Sequence, residues 1–200
     1  YEKKTVPVSG IGAFSFYPGK NLGAFGEAGA VVTDDRRIAK YAKKLRNHGS
    51  VKKYIHEIFG YNSRLDTLQA AILLFKLPYL SEWNEKRRRL ARMYTKLLKA
   101  VPQIIPPREL PDRYHVYHIY ALEVKKRQQL ARYLENLDIQ TGIHYPEPLH
   151  LTRPFRKLGY RRGDFPLSEK HTESTLSLPM FPELTGKEIR FIVNSLRSFY

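Results

Sequence analysis

Apolar residues recur along this chain with two periods. From about residue 36, Ile38, Tyr41, Ala42 and Leu45 follow helical spacing behind Asp34 and Asp35, either of which can cap the helix. Gly49 then offers a stop. Short apolar runs at 13–17 (AFSFY) and 30–33 (AVVT) read as strands, joined by a Gly-rich loop at 18–29, PGKNLGAFGEAG. Residues 65–77 are nearly all apolar and predict a buried helix, with Gln69 and Lys76 as polar interruptions. Pro78 punctuates that run. A long amphipathic helix follows to about Val101, its apolar line formed by Leu80, Trp83, Leu90, Tyr94, Leu97 and Val101.

Prolines at 102, 106, 107 and 111 give the strongest boundary signal, so the chain is expected to divide into 1–101 and 102–200. The second part predicts a strand at 114–124, a helix at 126–137, a strand at 139–145, and a long loop at 146–165. A short helix, a strand at LSLPM and a final helix complete it, the last opened by the capping box Thr185-x-x-Glu188. Leu130, Leu134, Leu137, Ile189, Ile192, Val193 and Leu196 are its expected core. The fold class is α/β: a small C-terminal α/β domain after a first part with only two short strands. Those strands are too few to make a sheet alone, and exposed edges invite pairing with another chain. A homodimer built on 13–33 and 65–77 is therefore expected.

Composition is that of an ordinary folded protein, with 42% hydrophobic and 27% charged residues. No run approaches the ~18 apolar residues of a membrane span. Cysteine is absent, which excludes disulfides and thiolate metal sites, and with no evident signal segment a cytoplasmic location is expected. The formal net charge of +16 changes the picture, because such a chain attracts nucleic acid, acidic surfaces or phosphorylated substrates. The densest basic run, residues 86–89 (KRRR), reads first as a solvated helix face. Three motifs fail on spacing: a P-loop at Gly19-Lys20, a dinucleotide fingerprint at Gly10, and a zincin helix at His56. His144 and His150 flank two prolines, and pocket lining and structural roles stay equally open for them. Lys20 leaves an apolar strand into a loop with glycines at 19, 23, 26 and 29, which let backbone approach a ligand closely. In a desolvated site its amine becomes nucleophilic; the alternative is a solvated loop lysine.

The stretch FSFYPGKNLGAFGEAGAVVTDD resembles the sugar aminotransferases of the DegT/DnrJ/StrS type, which are fold-type I pyridoxal-phosphate enzymes. GYNSRLDTLQAAIL at 60–73, GIHYPEPLHL at 142–151 and LSLPMFPELTGKEI at 176–189 resemble the same family in the same order. The resemblance implies that Lys20 carries pyridoxal 5'-phosphate and that Ser15 binds its phosphate. It further implies that Asn62 reaches a neighbouring subunit's phosphate with Arg64 close by, and that His144 and Tyr145 lie beside the substrate. The implied reaction moves an amino group from a donor such as glutamate to a keto-sugar, with a nucleotide-linked sugar suiting the basic surface.

The resemblance covers about the C-terminal half of the family. The phosphate-holding turn, the ring-stacking residue and the aspartate paired with the pyridine nitrogen are then expected upstream of Tyr1. Weak cofactor binding by these 200 residues is the corresponding expectation. A regulatory or nucleic-acid-binding protein, and an inactive structural remnant, are the alternatives. Against the former, no helix-turn-helix spacing or basic–aromatic stripe is evident.

Overall fold

The computed structural model describes residues 5–7 and 10–200. The described chain divides into two compact units. One takes in residues up to Trp83 together with Pro111–Tyr114, and the other Asn84–Leu110 with His115–Tyr200.

In the first unit, β1 (Ile11–Ser15) and β2 (Gly29–Thr33) form an antiparallel pair with Ser15 opposite Gly29. Helix α1 (Arg36–Leu45) begins at the cap Asp35, whose carboxylate accepts the Arg37 amide at 2.7 Å. It ends at Leu45 with Arg46 as its cap, and Gly49, in the left-handed region at φ 70°, turns the chain back to donate its N–H to the Lys44 carbonyl. After Gly49 the chain forms a small hairpin, β3 (Ser50–Lys52) and β4 (Ile55–His56). Gly49 and Gly60 let its two stems touch: a Cβ on Gly60 would lie 2.0 Å from the Gly49 nitrogen.

Helix α2 (Thr67–Lys76) overturns one expectation: of its residues only Leu73 is buried. Leu68, Leu74 and Phe75 are about seven-tenths exposed, at 70%, 69% and 74%. The inward stripe is Gln69, Leu73 and Lys76, at i, i+4 and i+7, so the two polar interruptions face the protein while Leu68, Leu74 and Phe75 face out. Burial of apolar residues needs a second surface, and among the described residues of this unit none covers that side of the helix.

A 3₁₀ turn at Leu77–Tyr79 leads into α3 (Leu80–Leu98). The two units part inside α3, at Trp83 and Asn84, rather than at the proline-rich segment. That segment is structural: β5 (Ile104–Ile105) pairs antiparallel with β6 (Tyr120–Val124), and β6 with β7 (Thr175–Leu178), giving the order β5-β6-β7. The strand read at 114–124 starts only at Tyr120, because residues 115–119 serve side-chain partners instead. His115 Nδ1 accepts the Tyr117 amide at 2.8 Å, and Tyr117 sits at φ 43°. The strand read at 139–145 reduces to a single bridge, Gly142 to Ser177.

Helices α4 (Arg127–Glu135), α5 (Arg153–Arg156), α6 (Pro166–Ser174) and α7 (Gly186–Phe199) complete the second unit. Leu130, Leu134, Ile189, Ile192, Val193 and Leu196 are buried together, as expected, and Leu137 packs at their edge. Tyr94 and Tyr120 stack within this core at 5.0 Å, and burial pushes both phenols well above the ordinary tyrosine range. The α7 capping box is present, with Thr185 Oγ1 accepting the Glu188 amide at 3.2 Å and the Glu188 carboxylate accepting the Thr185 amide at 2.7 Å.

Candidate functional site

β1 delivers Ser15 to its last position, and a tight turn follows in which the Lys20 amide donates to the Tyr17 carbonyl at 2.8 Å. Pro18 suits the second position of such a turn because its φ is already fixed. The Ser15 hydroxyl oxygen accepts the Tyr17 amide at 3.3 Å, which leaves its own O–H to donate outward. The chain then folds back: the Ala24 amide donates to the Phe16 carbonyl at 2.8 Å. At Gly23 a Cβ would fall 2.3 Å from the Pro18 carbonyl oxygen, so no other residue fits without moving backbone. Lys20 is thus half-buried on a turn clamped from behind. Ser15 and Lys20 lie at the two ends of one short stretch, the last residue of β1 and the turn that follows it.

Asn62 and Arg64 lie on the stem after the β3–β4 hairpin, held by backbone bonds from Tyr61 to Leu45 (2.7 Å) and from Ser63 to Arg46 (2.9 Å). Arg64 donates to the side-chain carbonyls of Asn62 at 3.3 Å and Asn47 at 3.4 Å. Both Asn62 and Arg64 are exposed, so the structure joins these two to each other. A groove of about 770 Å³ lies between β1–β2, α1 and residues 61–65, lined by Phe14, Val31, Ala42, Arg46 and Ser63 among others. Neither Ser15 nor Lys20 lines it.

His144 and Tyr145 belong to the second unit. His144 Nδ1 lies 2.9 Å from the Ser177 hydroxyl, its ring edge-on to Tyr145, which is exposed. His150 has a structural role: it is buried, with Nε2 at 3.0 Å from the Glu169 carboxylate. Glu169 also accepts the Gly163 amide at 2.7 Å, and that bond, followed by His150, holds its carboxyl below the ordinary glutamate range.

The basic run at 86–89 is not a uniform solvated face. Arg87 is buried and donates to the Met180 carbonyl at 2.5 Å. Arg88 pairs with Glu109 and donates to the His115 carbonyl at 2.8 Å. Side chains already engaged in holding loops are not available as phosphate contacts, which weakens a nucleic-acid reading. Arg87 falls on the apolar line of α3, four residues after Trp83 and three before Leu90, so helical spacing marks which member of the run turns inward. Among the described residues no group of acids and histidines could hold a metal, and no helix is long and apolar enough to cross a membrane.

Residues 1–197 match the model of the DegT/DnrJ/EryC1/StrS aminotransferase family. A Geobacillus stearothermophilus protein named "pleiotropic regulatory protein" is 44% identical over 100% of this chain and 55% of its own length. The dTDP-3-amino-3,4,6-trideoxy-alpha-D-glucose transaminase of Streptomyces venezuelae is 40% identical over 96% of this chain and 50% of its own. The crystal structure of S. venezuelae DesV superposes with a TM-score of 0.89 at 40% identity, covering 96% of this chain and 52% of that one. This chain therefore spans about half the length of the curated relatives it matches. The regulatory name stands within an aminotransferase family, so the regulatory alternative is not favoured.

Proposed function

The chain belongs to the DegT/DnrJ/EryC1/StrS aminotransferase family, and from that membership we propose that it carries the lysine-bearing portion of a pyridoxal-phosphate-dependent transaminase acting on a keto-sugar. The observation that carries the proposal is the placement of Lys20, half-buried on the turn after β1 and clamped by Gly23.

In this reading Lys20 Nζ holds the cofactor, and the Ser15 hydroxyl donates to its phosphate. Asn62, steadied by Arg64, adds a phosphate contact in a neighbouring copy. When bound, the cofactor supplies an electron sink for the charge left on a substrate carbon as its proton departs. Lys20 Nζ, once released, is the base that takes that proton and returns it, since a neutral amine near the reacting carbon can do both. His144 and Tyr145 contact the sugar. The donor is an amino acid such as glutamate and the acceptor a nucleotide-linked keto-sugar, whose diphosphate suits a chain with net charge +16. A cytoplasmic location goes with that substrate. The exposed leucines of α2 and the β1–β2 edge support a homodimer.

The test is to add pyridoxal phosphate, record the visible spectrum, reduce with borohydride and map the modified lysine. Modification at Lys20, abolished by Lys20→Ala, is expected. Labelling scattered over surface lysines would overturn the proposal. Light scattering is expected to give a dimer at micromolar concentration, and a monomer there would remove the neighbouring-copy role of Asn62.

A further inference from the structure

Helix α2 is inside out by the ordinary rule. Leu68, Leu74 and Phe75 face away from the unit, while Gln69 and Lys76 share the inward side with Leu73. A polar side chain on an inward stripe is costly unless it is hydrogen-bonded, so each needs a partner. Both partners lie in the loop that follows Lys20. Gln69 Oε1 accepts the Phe25 amide at 2.8 Å, and Lys76 Nζ donates to the Gly23 carbonyl at 2.7 Å. Lys76 also lies 4.5 Å from the centre of the Phe25 ring, a cation–π distance.

These bonds fall at the two ends of one short segment. Gly23 abuts the Tyr17–Lys20 turn so closely that a Cβ would meet the Pro18 and Tyr17 carbonyl oxygens at 2.3 and 2.9 Å. A Cβ on Gly26 would lie 3.2 Å from the Gln69 amide nitrogen. Any displacement of 23–26 is therefore passed to the turn that carries Lys20. The Ala24 amide ties the loop to the Phe16 carbonyl at 2.8 Å, and two residues seven apart on one helix add side-chain bonds on either side of Ala24.

We infer that Gln69 and Lys76 are positioning residues for Lys20, bracing the 23–26 backbone against α2 so that the turn keeps one conformation. This rests on the reading of Lys20 as the cofactor lysine. Each residue acts through backbone rather than on substrate. A mobile turn would spread Lys20 Nζ over many positions, and a reaction that needs the amine within hydrogen-bond reach of one carbon is sensitive to such spread.

The experiment uses the full chain with Gln69→Ala, Gln69→Glu, Lys76→Met and Lys76→Arg. Gln69→Glu keeps an acceptor for the Phe25 amide, and Lys76→Arg keeps a donor and a cation over the ring. Hydrogen exchange at the Phe25 and Ala24 amides is read first. About a ten-fold acceleration is expected in Gln69→Ala and Lys76→Met, the size set by one lost hydrogen bond, with β6 and β7 unchanged. The rate and pH dependence of pyridoxal phosphate labelling at Lys20 is read second. Slower, less selective labelling is expected in the same two variants, with recovery in Gln69→Glu and Lys76→Arg. Unchanged exchange in the two disruptive variants would overturn the brace. Accelerated exchange with wild-type Lys20 labelling would overturn the positioning role. If the wild-type chain shows no selective labelling at Lys20, the cofactor reading fails and the positioning inference falls with it. The exchange data then report separately whether the brace itself exists.

Discussion

Replacing Arg87 by methionine is expected to change the stability of the second unit by less than about 1 kcal/mol, although it removes a buried, hydrogen-bonded cation. Arg87 is 7% exposed. Its strongest bond runs from the guanidinium to the Met180 carbonyl at 2.5 Å, and two longer ones, at 3.5 Å, reach the Tyr117 and His118 carbonyls. A bond to a charged donor contributes about 1.5–3 kcal/mol, and the longer contacts add little. Against this stands the burial of the charge, which lowers the guanidinium pKa, with Glu183 opposing only in part. The Nε–H is buried with no partner, which costs about 1–3 kcal/mol more. The two sides nearly cancel. Methionine keeps most of the packed stem and removes both the desolvated charge and the orphan N–H, at the cost of leaving the Met180 carbonyl unpaired. Arg87→Ala differs because it also opens a cavity, and should destabilise by roughly 2–4 kcal/mol. Urea unfolding followed by near-ultraviolet dichroism of the Tyr94–Tyr120 pair reads this unit. The comparison is made at equal m, so that a change in midpoint is a change in stability. A loss clearly above about 1 kcal/mol in Arg87→Met would refute the reasoning and show that the carbonyl clamp outweighs the buried charge.

Ile192→Asp places a carboxylate at a position only 3% exposed and should cost at least about 3 kcal/mol, read as a large fall in melting temperature; an unchanged melting temperature would show the α7 face to be misassigned. Thr185→Ala removes the α7 cap and should cost about 1 kcal/mol at neutral pH. Thr185's side chain and then its amide hold the Glu188 carboxyl below its ordinary value, so this contribution is present above that value and lost as pH falls through the depressed one. The gap in melting temperature between wild type and Thr185→Ala should therefore narrow in acid, and a gap that widened there would contradict the assignment. Gly23→Ala drives a methyl into the Pro18 carbonyl and should shift the Lys20 turn; wild-type hydrogen exchange across residues 17–26 would show that the loop has room after all.

Sequence by itself determined the helix caps and the second unit's core, but not the β3–β4 hairpin, β5 or the start of β6. Asp35, Gly49 and the Thr185–Glu188 box act within a few residues of themselves, so their roles are legible without a fold. The 3.6-residue spacing of Ile189, Ile192, Val193 and Leu196 has one apolar face to bury, and the structure buries it. Family motifs marked Lys20, Ser15, Asn62 and Arg64 as positions to inspect. Tertiary structure alone decided which way α2 faces. Its apolar residues surround the helix, so periodicity does not choose a side, and the choice falls to where the Phe25 amide and the Gly23 carbonyl need partners. For Arg87 helical spacing from Trp83 and Leu90 marks the inward position, and the tertiary structure decides its partner, the Met180 carbonyl, which lies far along the chain. Local pattern fixes what a residue can satisfy nearby, whereas a buried polar group is assigned by whichever distant partner the fold delivers to it.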